Sequence, residues 1–101
     1  MSKKKQTVPS HRAHVFYAGR VQGVGFRYTA ERIALDLGLV GTVINLPDGR
    51  VELICEGDKL PIEELLFKIR QSSLGPYIRK ETVKWEEPTR LYTDFSVEFF
   101  H

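Results

Sequence analysis

The sequence predicts an α+β sandwich: two amphipathic helices on one face of an antiparallel sheet, in the order βαββαβ followed by a C-terminal strand. Three observations predict it. Segments that alternate with period two bracket two segments of helical periodicity. Strong turn chemistry joins the second and third strands. Each helix has a single apolar face, so both can cover the buried side of one sheet.

The elements follow in order. His14 to Ala18 alternates, with Val15 and Tyr17 on one side and Phe16 on the other, and runs into Gly19 as a first strand. From Phe26 onward, Phe26, Ala30, Ile33, Ala34 and Leu37 recur at helical spacing, and Gly38 supplies a C-terminal stop. Val40 to Asn45 is rich in β-branched residues. Leu46-Pro47-Asp48-Gly49 turns the chain, and Val51, Leu53 and Cys55 then alternate with Glu52, Ile54 and Glu56, which predicts a hairpin. The second helix takes Asp58 as its N-cap, tolerates Pro61 in its first turn and gains from Glu63 and Glu64 near the positive end of its dipole. Its apolar stripe is Ile62, Leu65, Leu66 and Ile69, and Ser72-Ser73-Leu74-Gly75-Pro76 ends it. A fourth strand from about Ile78 to Trp85, a connection through Pro88, and Phe95, Val97 and Phe99 as a last strand complete a ferredoxin-like α/β sandwich. That architecture hosts many functions and names none.

At 101 residues the chain is expected to form one domain over residues 12–101, behind a disordered basic tail over residues 1–11. Its net charge of +2 depends on Lys3, Lys4, Lys5 and Arg12; without these four, 11 basic residues face 13 acidic ones, a balance of −2. A slightly acidic body gives no footprint for nucleic acid, so no nucleic-acid partner is expected. No apolar run approaches the roughly 18 residues needed to span a bilayer, so no membrane partner is expected. The basic N-terminus lacks an apolar segment after it, and Ser2 rather than glycine follows Met1, so a cytoplasmic address is expected by default. Cys55 is the sole cysteine and sits in an apolar strand pattern, which predicts a buried structural thiol. A monomer is expected.

The chemistry concentrates in Gly19-Arg20-Val21-Gln22-Gly23-Val24-Gly25-Phe26-Arg27, between the first strand and the first helix. Three glycines in seven residues let the backbone turn sharply and present its N–H groups, the composition of an anion cradle. No Ser, Thr, Asp or Asn lies between Gly19 and Phe26 to cap the helix. Arg27 instead places a cation where the helix dipole disfavours one. A phosphate on the loop N–H groups, forked by Arg27, would resolve both anomalies. A water-facing turn with Arg27 paired to a nearby carboxylate would also fit, and composition leaves the two open. The spacing is neither G-x-G-x-x-G nor a P-loop, which argues against dinucleotide and nucleoside-triphosphate sites.

This segment resembles the signature of the acylphosphatase family, G-x-V-Q-G-V-x-F-R, matched by Gly19, Val21, Gln22, Gly23, Val24, Phe26 and Arg27. Gly41 to Glu52 is similar to the family's second signature, G-x-V-x-N-x-x-D-G-x-V-E. The resemblance covers about residues 12 to 100. It implies a ferredoxin-like fold, metal-free hydrolysis of acyl phosphates, Arg27 as phosphate ligand and Asn45 as orienter of the attacking water. With Arg27 and Asn45 as catalytic residues, the expected substrate-binding positions are Val21, Gln22, Gly23, Val24, Gly25 and Phe26, chiefly through backbone N–H groups.

The residues present agree with that chemistry. Neither motif contains a serine, cysteine or histidine for a covalent intermediate, so direct attack by water is the simpler route. His11, His14 and His101 lack metal-ligand spacing and suit exposed or strand-edge positions; no metal and no cofactor are expected. Asp48 has a structural reason to occupy a turn and Glu52 suits the solvent side of a strand. A site without a general acid can expel a carboxylate, whose conjugate acid has a pKa of roughly 4, but not a far more basic alkoxide. Two other classes remain: a phosphate- or carbamoyl-phosphate-handling module like the one that begins the hydrogenase maturation protein, set back by this chain's length, and an RNA-binding sheet, set back by the missing Lys/Arg-Gly-Phe/Tyr sequence.

Overall fold

The computed structural model describes residues 8–100. Of the tail expected to be disordered over residues 1–11, residues 1–7 lie outside the described residues, while His11 already begins the first strand. The elements are β1 (His11–Gly19), α1 (Phe26–Asp36), β2 (Val40–Asn45), β3 (Val51–Gly57), α2 (Lys59–Gln71), a 3₁₀ turn (Gly75–Tyr77), β4 (Ile78–Glu86) and β5 (Phe95–Glu98). The sheet order is β4-β1-β3-β2-β5.

Four strands alternate in direction, but β5 runs parallel to β2, so the sheet is mixed rather than wholly antiparallel as expected. The reason lies in the route of the chain. β4 ends at the edge of the sheet where β1 and β2 begin, and β5 enters from that same end at the opposite edge, which gives it the direction of β2.

Strand alternation sorts the two faces. Ala13, Val15 and Tyr17 of β1, Val43 of β2, and Val51, Leu53 and Cys55 of β3 are fully buried beneath the helices. From α1 come Phe26, Ala30 and Ala34, with Ile33 and Leu37 partly buried; from α2 come Ile62, Leu65, Leu66 and Ile69. Full burial of a Leu- or Ile-sized side chain contributes about 1.5–3 kcal/mol, so the α2 stripe alone holds that helix to the sheet. Gly38, at φ +73°, stops α1, and the Leu39 N–H returns to the Ala34 carbonyl at 3.0 Å.

Two details of α2 differ from expectation. Asp58 occupies the cap position without capping, its carboxylate accepting instead from Ser10 Oγ at 3.1 Å. The helix begins at Lys59, which leaves Glu63 and Glu64 beyond a first turn that holds no acidic residue.

The open face carries a charged network. Arg12 donates to Glu56 and Glu86 at 2.9 Å each, and His14 sits between Glu52 and Glu86 at 2.5 and 3.1 Å. Arg12 is therefore a member of the fold, not of a leader, and His14 lies on an inner strand rather than a sheet edge. Glu56 is buried and also accepts from the Thr89 N–H, the Thr89 hydroxyl and the Arg90 N–H at 2.7, 3.0 and 2.9 Å. Burial works against its charged form, but these donors and Arg12 outweigh it and hold its pKa below the usual carboxylate value. One carboxylate thus pins the crossing from β4 to β5.

Candidate active site

β1, β2 and β5 run in one direction, so Gly19, Asn45 and Glu98 finish at the same end of the sheet. The glycine-rich loop and the start of α1 lie at that end. Gly19, Gly23 and Gly25 adopt φ values of +130°, +80° and +81°, a backbone region that side chains disfavour. Gly25 is the N-cap of α1, with no side-chain cap bond and no acidic residue in the first turn. Within the loop, Arg20 donates its N–H to the Tyr77 carbonyl at 2.9 Å. The backbone N–H groups from Val21 to Gly25 have no acceptor among the described residues. They form a set of unmatched donors at the positive end of a helix.

Arg27, on the first turn of α1, is half-buried. Its guanidinium lies 4.8 Å from the ring centroid of Phe99, and Nη1 reaches the Glu98 carbonyl at 3.3 Å. Among the described residues no carboxylate pairs with it. Of the two arrangements left open by composition, the one with a carboxylate partner is therefore absent from this set. The aromatic ring positions the cation, and the carbonyl occupies one of its donors.

Asn45 closes β2, opposite Val51. Its Oδ1 is buried and has no hydrogen-bond partner, alone in this respect among the described side chains. Such an acceptor costs about 1–3 kcal/mol unless a donor reaches it, and this one is free to accept from a water or ligand.

Gln22 binds these parts together. Its Nε2 donates to the carbonyl oxygens of Leu46 at 2.8 Å and Arg50 at 2.9 Å, the two residues that flank the β2–β3 turn. The Gln22 side chain is thus committed to holding the loop beside Asn45, and its backbone N–H is what it leaves for a ligand. Val21 is fully buried, Val24 packs against the core, and Phe26 packs on Tyr17 with ring centroids 4.8 Å apart. These three anchor the loop, leaving their backbone N–H groups as what they offer a ligand.

The two carboxylates of the β2–β3 hairpin motif, Asp48 and Glu52, have structural partners. Asp48 accepts from the N–H and Nε of Arg50 at 3.0 and 2.8 Å, and the Arg50 N–H is the leading cause holding its pKa down. Glu52 serves His14. Burial pushes the Cys55 thiol up to about 12, which leaves it protonated and unreactive at neutral pH. Burial, followed by the nearby Glu81 carboxylate, raises Tyr17, whose hydroxyl donates to Glu81 at 2.7 Å. Among the described residues no group of three His, Cys, Asp or Glu side chains could hold a metal ion. No helix there is long and apolar enough to cross a membrane.

Comparison with known proteins agrees with this geometry. The acylphosphatase family model matches residues 13–97. An acylphosphatase of Lactobacillus johnsonii is 44% identical over 82 residues, covering 80% of this chain and 90% of that protein. The crystal structure of acylphosphatase from Bacillus subtilis superposes with a TM-score of 0.79 at 30% identity, covering 87% of this chain and 98% of that one. Full-length HypF, in a phosphate- and nucleotide-bound form, matches with a TM-score of 0.77 at 29% identity over 93% of this chain but only 12% of its own. On the family match and the shared length, the chain belongs to the acylphosphatase family, a family of hydrolases.

Proposed function

We propose that this protein hydrolyses acyl phosphates to a carboxylate and inorganic phosphate by direct attack of water. The observation that carries the proposal is the start of α1, where loop N–H groups without acceptors meet an Arg27 without a carboxylate. Both deficits are met by one bound phosphoryl group. Loop donors and Arg27 then stabilise the charge that spreads over the phosphoryl oxygens during transfer.

Asn45 orients the nucleophile. A water donating to its unmatched Oδ1 is held with a lone pair free to face phosphorus. The water oxygen bonds to phosphorus as the bond to the acyl oxygen breaks, and a proton of the water passes to a phosphoryl oxygen. The leaving carboxylate needs no proton, in keeping with a site that offers no obvious general acid. This selects mixed anhydrides over alkyl phosphates. Metal independence, a monomer and a cytoplasmic address belong to the same proposal.

The test is turnover of benzoyl phosphate, with and without chelator, alongside a simple alkyl phosphate. Chelator-insensitive hydrolysis of the first and none of the second is expected. Absence of benzoyl phosphate turnover would overturn the proposal.

A further inference from the structure

The arginines divide by whether they have a partner. Arg12, Arg27, Arg50, Arg70 and Arg90 each donate to an oxygen of another residue. Arg20, Arg32 and Arg79 are exposed and their guanidiniums donate to none among the described residues, and two of these three, Arg20 and Arg79, line one cavity of about 410 Å³. Its other walls are Pro76, Tyr77 and Ile78, so no carboxylate offsets the two cations. A bound anion would complete that arrangement, and the volume is in the range of a small-molecule pocket.

The backbone is built to bring these two side chains together. Ala18 pairs with Lys80 and Gly19 with Ile78, which leaves Arg79 as the extra residue of a β-bulge. Bulges re-aim side chains at the ends of strands. Gly19 permits the close approach: at φ +130°, an added Cβ would lie 2.7 Å from the Arg79 nitrogen. Beside it, the Arg20 N–H is bonded to Tyr77, a wall of the cavity. Arg20 is also the first residue of the loop after Gly19, and the three residues to Gly23 span at most about 11 Å. The cavity therefore opens beside the phosphate loop.

We propose that the cavity between Arg20 and Arg79 is a specificity subsite for a second oxyanion, carboxylate or phosphate, carried on the acyl portion of the substrate. The proposal rests on the hydrolysis of acyl phosphates put forward above. With the scissile phosphoryl group on the loop, a short acyl chain carries its own anion to the paired guanidiniums, whose planar forks suit either oxyanion. Acyl phosphates of dicarboxylic or phosphorylated acids would then be favoured over those of neutral acids.

Benzoyl phosphate, 4-carboxybenzoyl phosphate and 4-phosphonobenzoyl phosphate share a ring and a scissile bond but differ in the distal charge. Arg79→Gln is expected to lower kcat/KM for at least one charged substrate by about ten-fold while leaving benzoyl phosphate within about two-fold, the loss of one charge-assisted contact. The arm that falls identifies the oxyanion. Lys80→Gln removes the same charge outside the cavity and should leave the ratio of charged to neutral substrate unchanged. Equal losses on all three substrates in Arg79→Gln, or a Lys80→Gln effect as large, would overturn the subsite. No benzoyl phosphate turnover by the unaltered protein would instead overturn the hydrolytic reading on which it rests.

Discussion

Gln22 donates through Nε2 to the carbonyl oxygen of Leu46 at 2.8 Å, and this single contact ties the glycine-rich loop to the residue that follows Asn45. The parts proposed to hold phosphate and water are remote in sequence, so their relative placement depends on such ties. A second bond to the Arg50 carbonyl locks the amide across both sides of the turn. Under the proposed mechanism Gln22 is a positioning residue.

Gln22→Ala should lose about 1–2 kcal/mol of stability, the worth of two partly buried hydrogen bonds. A purely structural role would leave the kinetics of the folded enzyme alone. The expected outcome is a kcat about ten-fold lower or more, measured with benzoyl phosphate well below the unfolding temperature, because water and phosphorus are no longer held in line.

Gly19→Ala meets two penalties. Its backbone lies at φ +130°, and the new methyl group would overlap the Tyr77 carbonyl oxygen and crowd the Arg79 nitrogen. Neither is a flexible side chain that can yield. A loss of about 1–3 kcal/mol or more is expected in urea unfolding, together with a fall in kcat/KM as the loop shifts.

Acid should weaken the end of the sheet opposite the candidate active site. The folded pKa of Glu56 is depressed, so its contribution is present above the unfolded carboxylate value and is lost as pH falls through the folded one. Glu86, held down chiefly by Arg12, acts in the same direction. Glu56→Gln should therefore lower stability at pH 7 and flatten its decline below about pH 4.5, measured as urea midpoints across pH. An unchanged acid limb would contradict the assignment.

What could be read from the sequence was what is local. The missing cap and the misplaced Arg27 lie within a few residues of each other, so the features on which the proposed anion site rests were visible in one segment. The helix stripes Ile62, Leu65, Leu66 and Ile69, and the row Val51, Leu53 and Cys55, follow from periodicity and are buried as expected. What escaped depends on distant partners. The ring of Phe99 beneath Arg27 requires the parallel pairing of β5 with β2, which alternation cannot specify. Gln22 reaches carbonyl oxygens 24 and 28 positions away, a contact without a local signal. Arg12 looked like part of a basic leader because its partners, Glu56 and Glu86, lie on strands that meet β1 only in three dimensions. Asp58 has cap chemistry, yet its carboxylate is taken by Ser10.

The most direct measurement is kcat/KM for benzoyl phosphate in Arg27→Gln and Asn45→Ala, with circular dichroism and thermal unfolding to verify the fold. Loss of about 100- to 1,000-fold in each is expected, the scale of removing a preorganised group from a charge-stabilising site. Asn45→Ala should lower kcat with little change in affinity for inorganic phosphate, while Arg27→Gln should weaken that affinity as well. Near-wild-type turnover in either well-folded variant would contradict the account.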